Sequence, residues 1–357
     1  MQTELKSFHE EFLPFLGLLS NEELCQFYGF TRELVSNYCD GYQMDGPIYL
    51  VLDNSIIQDF KHAKIRDRLI RAQAFVAFCR FIAVYSDRKT SLCISPVAVY
   101  EHGGRVVPDS LNAVQELAHD ILSLLSTCNL PFATMGFSRN YDLKEALQAV
   151  DDDARFLVGF AKKINGMDLR YDLRAPHGGV YIPWSIANDL IADDMPLRYF
   201  EPWYVKYVFS SSIERKIAEK SKRHPKMQPI LSGDLSQLLA DLIKIERGVL
   251  KGLGDIDLLQ LCDIRHQYTA RLSFVLLGQT YDKALAGVLA MRHCYIESAQ
   301  VVGGSKNMQQ QIENAEKLIC SNPFDELEMR ARKIKPHADH FLGSLAKICQ
   351  VHMKSDS

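Results

Sequence analysis

The sequence predicts an α/β fold with a central parallel sheet, and three observations predict it. Short apolar runs of strand length stand far apart in the chain, at 48–52, 91–95 and 274–277. Each runs into a turn or a helix beside an acid. Amphipathic helical segments fill the intervals. Runs that are apolar on both faces suit strands buried between helical layers. With 357 residues, 47% hydrophobic and 24% charged, the chain has material for one large core with insertions or for two ordinary domains.

Taken in order, residues 1–40 read as helical, and Ser20 followed by Asn21, Glu22 and Glu23 reads as an N-cap with acids in the first turn. Gly41, Gly46 and Pro47 supply turn chemistry before the first strand, which ends at Asp53. Residues 54–86 carry a helical pattern with many cations, among them Lys61, Lys64, Arg66, Arg68 and Arg71. After the second strand, Ser95 is placed to cap a helix whose first turn holds Pro96, and Gly103-Gly104 ends that helix. From Arg105 to Gly252 the texture is mostly helical, with amphipathic stretches at Val114–Cys128 and Leu143–Ile164 and a closing helix over Leu235–Val249. The Pro-, Tyr- and Trp-rich piece from Arg170 to Tyr207 reads as irregular. Asp255 and Asp257 open a further helix, where acids favour the dipole. The third strand then leads into Thr280, Asp282 and a helix from Ala284 to Met291. Residues 306–349 read as two helices separated by Asn322-Pro323.

Several function classes are disfavoured. The net charge of -3 means that a nucleic-acid partner must be held by a local basic patch or by metal ions. The nine cysteines form no CxxC pair, which argues against a zinc ribbon or a thioredoxin-type site and for buried thiols in a reducing cytosol. The N-terminal segment lacks a secretory pattern, and no window approaches the roughly 20 apolar residues of a membrane helix, so the expected location is cytoplasmic. His337 and His340 lack the further ligands a zinc site needs. Gly303-Gly304-Ser305-Lys306 lacks the glycine spacing of a phosphate loop.

The chemistry-bearing pattern is a set of acids at the ends of these strands. Asp53 ends the first, Glu101 follows the second on its helix, Asp257 opens the helix ahead of the third, and Asp282 follows the third. In open parallel sheets ligands bind beyond the carboxyl ends of the strands. Carboxylates gathered there repel one another unless a counter-charge offsets them, and hard divalent cations with oxygen ligands, Mg²⁺ or Mn²⁺, supply it. Such ions generate a hydroxide nucleophile and stabilise the leaving oxygen of a phosphodiester. An alternative use of each acid is local: a turn or N-cap for Asp53 and Asp282, a solvated helix position for Glu101, and dipole charge for Asp257.

Four segments resemble the motifs of PIN-domain nucleases. Tyr49-Leu-Val-Leu-Asp53-Asn54-Ser55-Ile56-Ile57 resembles the opening strand, with its aspartate followed by small polar and then apolar residues. Ile94-Ser95-Pro96-Val97-Ala98-Val99-Tyr100-Glu101 resembles the second motif, a serine before a helix that bears a glutamate. Asp257-Leu258-Leu259-Gln260-Leu261 resembles the third, and Thr280-Tyr281-Asp282-Lys283-Ala284-Leu285 the fourth. Asp241, Asp255 and Asp263 compete with Asp257 for the third place. The resemblance implies a three-layer core over 47–104 and 252–300, flanked by an N-terminal helical segment (1–46), a mostly helical insertion (105–251) and C-terminal helices (301–357). The long insertion is a departure from a compact domain of this kind.

What the resemblance implies is metal-dependent cleavage of RNA, and in some members of DNA, with Asp53, Glu101, Asp257 and Asp282 as ligands to Mg²⁺ or Mn²⁺; the leading expectation for this chain is a ribonuclease that acts as a toxin or a phage-defence effector. Ser55, and more weakly Asn54, would orient a ligating carboxylate. The basic run Arg215, Lys216, Lys220, Lys222, Arg223 and Lys226 would track the RNA backbone, or is a solvated helix face. Trp203, Tyr204 and Tyr207 would stack on bases or pack a subdomain. The competing reading is a non-catalytic interaction protein on the same fold, as a homo-oligomer or with a regulatory protein partner. A phosphatase with a second aspartate two residues past the first is disfavoured, because Ser55 stands there.

Overall fold

The computed structural model describes residues 10–42, 46–164, 170–172, 179–181, 245–246, 248–250, 252–262, 273–282, 285–286, 289 and 324–355. In chain order the elements are α1 (10–16), α2 (Asn21–Gly41), β1 (Ile48–Leu52), α3 (Asn54–Lys61), α4 (Arg66–Tyr85), β2 (Thr90–Ile94), α5 (Pro96–His102) and α6 (Leu111–Leu125). They continue with β3 (Phe132–Thr134), α7 (Asn140–Ile164), β4 (Arg170–Asp172), β5 (Gly179–Tyr181), β6 (Ile245–Glu246), β7 (Val249–Leu250), α8 (Leu253–Leu261), β8 (Val275–Gln279) and α9 (Phe324–Ser355).

The core is a four-stranded parallel sheet in the order β3-β2-β1-β8. β2 and β8 are buried at every position, and β1 at all but Tyr49, because their apolar runs are covered on both faces. The two covers are read from β8, where successive side chains point to opposite faces. A Cβ added to Gly41 at the end of α2 would strike the Leu277 side chain. One added to Gly278 would lie 3.1 Å from Leu258 of α8 and 3.0 Å from Leu289. Hence α2 lies on one face and α8 on the other. α4 and α9 pack with α2, whereas α5 packs with both α7 and α8.

Local chemistry sets the helix ends. Ser20 and Glu23 form a reciprocal capping box at α2. Ser95 accepts from Ala98 N–H at α5, with Pro96 in the first turn. The pattern over 54–86 splits into α3 and α4 at a turn that spans 62–65. Aromatic packing ties α9 to α4, with Phe81 and Phe341 rings 5.2 Å apart and His337 stacked on Tyr85 at 5.5 Å.

Three expectations are corrected. Phe132–Thr134, inside the stretch read as insertion, joins the sheet beside β2, so the core continues past residue 104. The irregular piece contains an antiparallel pair, β4 with β5. The end of the helix expected over Leu235–Val249 is instead extended, with Ile245–Glu246 pairing Val249–Leu250 across Gly248 at φ 78°. Among the described residues, no helix is long and apolar enough to cross a membrane.

Candidate functional site

The residues directly beyond the three longest strands are Asp53, Ser95 and Thr280. The chain goes from β1 outward to β2 and β3 and returns on the other side of β1 as β8, so strand order reverses between β1 and β8. That reversal opens a crevice at the carboxyl ends, the usual ligand position in open α/β sheets. Asp53 and Thr280 face each other there, and Asp53 N–H bonds Gln279 O at 2.9 Å.

Asp53 stands at the N-cap position of α3, but its side chain makes no capping hydrogen bond. Its Oδ2 instead accepts from the Ser55 hydroxyl and, at 2.7 Å, from the Thr280 hydroxyl. Burial pushes the Asp53 carboxyl above its ordinary range, and these two hydroxyls oppose the rise. Asp257 on α8 is buried and accepts from Ser95 Oγ at 2.6 Å. Its pKa is pushed up to about 7, first by burial and then by the charge of Glu101. Ser95 therefore caps α5 and orients Asp257 with one oxygen.

Glu101 lies between the other two. Its side chain is 8% exposed, and Arg105 Nη2 donates to its Oε1 at 3.2 Å. The Gly254 N–H, in the first turn of α8, also donates to the Glu101 carboxylate. Burial raises the Glu101 pKa, Arg105 opposes this, and the charge of Asp53 adds to it. Glycine at 254 lets α8 come close to the acids: a Cβ there would lie 2.7 Å from Glu101 Oε2, which would have to shift, and 3.7 Å from Asp53 Oδ1. Those two figures also show how near the carboxylates of β1 and α5 come to one another.

Asp282 does not join this buried trio. It is exposed, and its Oδ1 accepts from Leu285 N–H at 3.0 Å, which is a capping role. Its backbone is held two residues away by Thr280 Oγ1 at 3.1 Å. Asn54 does not bond the Asp53 carboxylate through its side chain; its Oδ1 accepts from Gln58 Nε2 at 3.3 Å. Gln58 also stands 3.3 Å from His102 Nδ1, and His102 Nε2 lies 2.9 Å from Asp120 Oδ2. A polar chain thus links α6 to the residue after Asp53.

Ser95, Thr280, Gly254 and Arg105 belong to the site by geometry and not by any site signal of their own in the sequence. In the sequence Ser95 is legible as a helix cap and motif serine, Thr280 as a motif threonine, and Arg105 only as the start of a helical stretch. Asp255 lies in the first turn of α8, while Asp241 and Asp263 lie outside the described residues. So do Arg215, Lys216, Lys220, Lys222, Arg223, Lys226, Trp203, Tyr204 and Tyr207.

Comparison with family models, curated proteins and solved structures finds no match to this chain. The chemistry of the site therefore rests on its own donors. Asp53, Glu101 and Asp257 offer hard oxygens with hydroxyls behind them and neither His nor Cys, which suits Mg²⁺ or Mn²⁺ in type. Their mutual repulsion is the cost a divalent cation would offset. Each acid is at present satisfied by the chain's own donors, and among the described residues no group of three or more His, Cys, Asp or Glu side chains is arranged to hold a metal ion. The donor types fit, and the geometry requires the side chains, Glu101 above all, to turn.

Proposed function

We propose that this chain is a metal-dependent endoribonuclease of PIN-like design, in which Asp53, Glu101 and Asp257 hold Mg²⁺ or Mn²⁺ and Asp282 stands at the rim. The observation that carries the reading is the meeting of three buried carboxylates from distant segments at the strand-order reversal of a parallel sheet. Apolar residues would pack there without the desolvation cost that raises all three pKa values, so the acids point to a bound cation. When bound, such an ion supplies a water of lowered pKa and polarises a phosphoryl oxygen.

The chain's own residues do the positioning. Ser55 and Thr280 fix the Asp53 carboxylate, Ser95 fixes Asp257, and the Gly254 N–H holds Glu101. Part of the stretch up to residue 251, with its basic run from Arg215 to Lys226, serves in this reading as an insertion that selects RNA.

A second reading, a non-catalytic interaction protein on the same core, is favoured by the Glu101–Arg105 ion pair, since an internal cation already balances that acid. Incubation of the purified chain with single-stranded RNA, tRNA and DNA, in Mn²⁺ or in EDTA, separates the two. The nuclease reading expects Mn²⁺-dependent cleavage of RNA that is lost in EDTA and in Asp53→Asn. Intact substrates under every condition, or cleavage indifferent to EDTA and to Asp53→Asn, support the second.

A further inference from the structure

Arg105 occupies an unusual position. It follows Gly103 and Gly104, has φ 62°, and is one of two non-glycine residues with positive φ among those described. Left-handed backbone is costly for a long side chain and favours glycine or asparagine. Its N–H is fixed to Tyr100 O at 2.9 Å, which closes the turn after α5. The conformation returns the guanidinium to the helix it has just left, against Glu101, where the side chain is 15% exposed. A planar guanidinium with several donors matches the oxygens of a phosphodiester.

We propose that Arg105 is a catalytic residue that exchanges partners: it balances Glu101 until a divalent cation takes that carboxylate, and then binds the scissile phosphate. This rests on the nuclease reading. The cation and the guanidinium cannot both be the counter-charge of one carboxylate without cost, so the release of Arg105 from Glu101 frees its donors at the rim of the acid cluster. There it faces the charge that develops on the phosphoryl oxygens. Arg105 is therefore a competitor of the ion in binding and its ally in cleavage.

These two roles have opposite signs, which a merely structural residue would not show. The test compares the full-length chain with Arg105→Gln and with Arg105→Gly, the latter chosen because glycine accepts φ 62° and protects the fold. Mn²⁺ binding is measured by calorimetry without RNA, and cleavage of a single-stranded RNA oligonucleotide under saturating Mn²⁺. The expected result is Mn²⁺ affinity raised by up to about fivefold, the worth of one partly exposed ion pair. In the same variants kcat falls by about 100-fold or more, as for loss of one transition-state donor. Unchanged cleavage, or a parallel loss of both Mn²⁺ affinity and cleavage, overturns the exchange. If the wild-type chain neither binds Mn²⁺ nor cleaves RNA, the nuclease reading itself fails and this role with it; if the wild type does both, only the role of Arg105 is at stake.

Discussion

Thr280 donates its hydroxyl to Asp53 across 2.7 Å, which joins the residue beyond β8 to the residue beyond β1 at the point where strand order reverses. The same threonine oxygen accepts from Asp282 N–H and so shapes the turn that follows β8. Replacement by valine keeps the volume and removes the hydroxyl. Asp53 then keeps Ser55 as its hydroxyl donor, its pKa rises further, and the Asp282 turn loses its anchor. Thr280→Val is expected to lower unfolding free energy at pH 8 by about 1–3 kcal/mol, the penalty of an under-satisfied buried acceptor, as read from denaturant titration.

Asp53→Asn is expected to abolish Mn²⁺-dependent RNA cleavage while it leaves the thermal midpoint unchanged or raised. The substitution removes a buried charge that faces Glu101, so the fold gains what the site loses. Full activity in this variant is incompatible with Asp53 as a ligand.

Gly254→Ala tests the contact between α8 and α5. The added methyl would meet Glu101 Oε2 at 2.7 Å and the Asp53 carboxylate at 3.7 Å, so the Glu101 side chain must yield. The expected outcome is a loss of about 1–3 kcal/mol, typical of overpacking, with cleavage reduced. Denaturant unfolding and a cleavage assay on the same sample check both. Equal stability and activity would mean that Glu101 moves without consequence.

The pH dependence of stability follows from Asp257. Its carboxyl pKa is raised from 3.8 to about 7, so between those values the folded chain binds more protons than the unfolded one. Stability from this group is therefore greatest at low pH and falls as pH rises through the window, by at most about 1.4 kcal/mol per pH unit. Asp53 and Glu101, whose pKa values are also raised, act in the same direction. Chemical denaturation of wild type and Asp257→Asn in EDTA, at pH 5, 6, 7 and 8, is expected to show a shallower decline in the variant. Parallel curves would contradict the assignment.

The three long strands are legible in the sequence because each contains a short run of apolar residues, and the acids are legible because Asp53 ends the first run while Glu101 and Asp257 stand on the helices next to the other two. β3 is not, since Phe-Ala-Thr is three residues long, lies at a sheet edge and is half exposed, which leaves no periodicity to detect. Asp282 shows a different limit. A ligand and an N-cap both call for an aspartate just before a helix, so the residue type cannot separate them. The contact of Glu101 with Gly254 joins parts of the chain far apart in sequence, and nothing local to either residue announces it. Arg105 was readable only as the start of a helical stretch, whereas its left-handed backbone directs it to Glu101.

Thermal unfolding in Mn²⁺ tests the central claim most directly, because it reads ion binding without any assumption about substrate. The account predicts that the midpoint of the wild-type chain rises as Mn²⁺ is added, corresponding to about 2.7 kcal/mol at a hundred times the dissociation constant. It also predicts that Asp53→Asn and Asp257→Asn lose most of that rise. A wild-type midpoint indifferent to Mn²⁺ and Mg²⁺, or a rise of equal size in all three proteins, would contradict a divalent-cation site built from these acids.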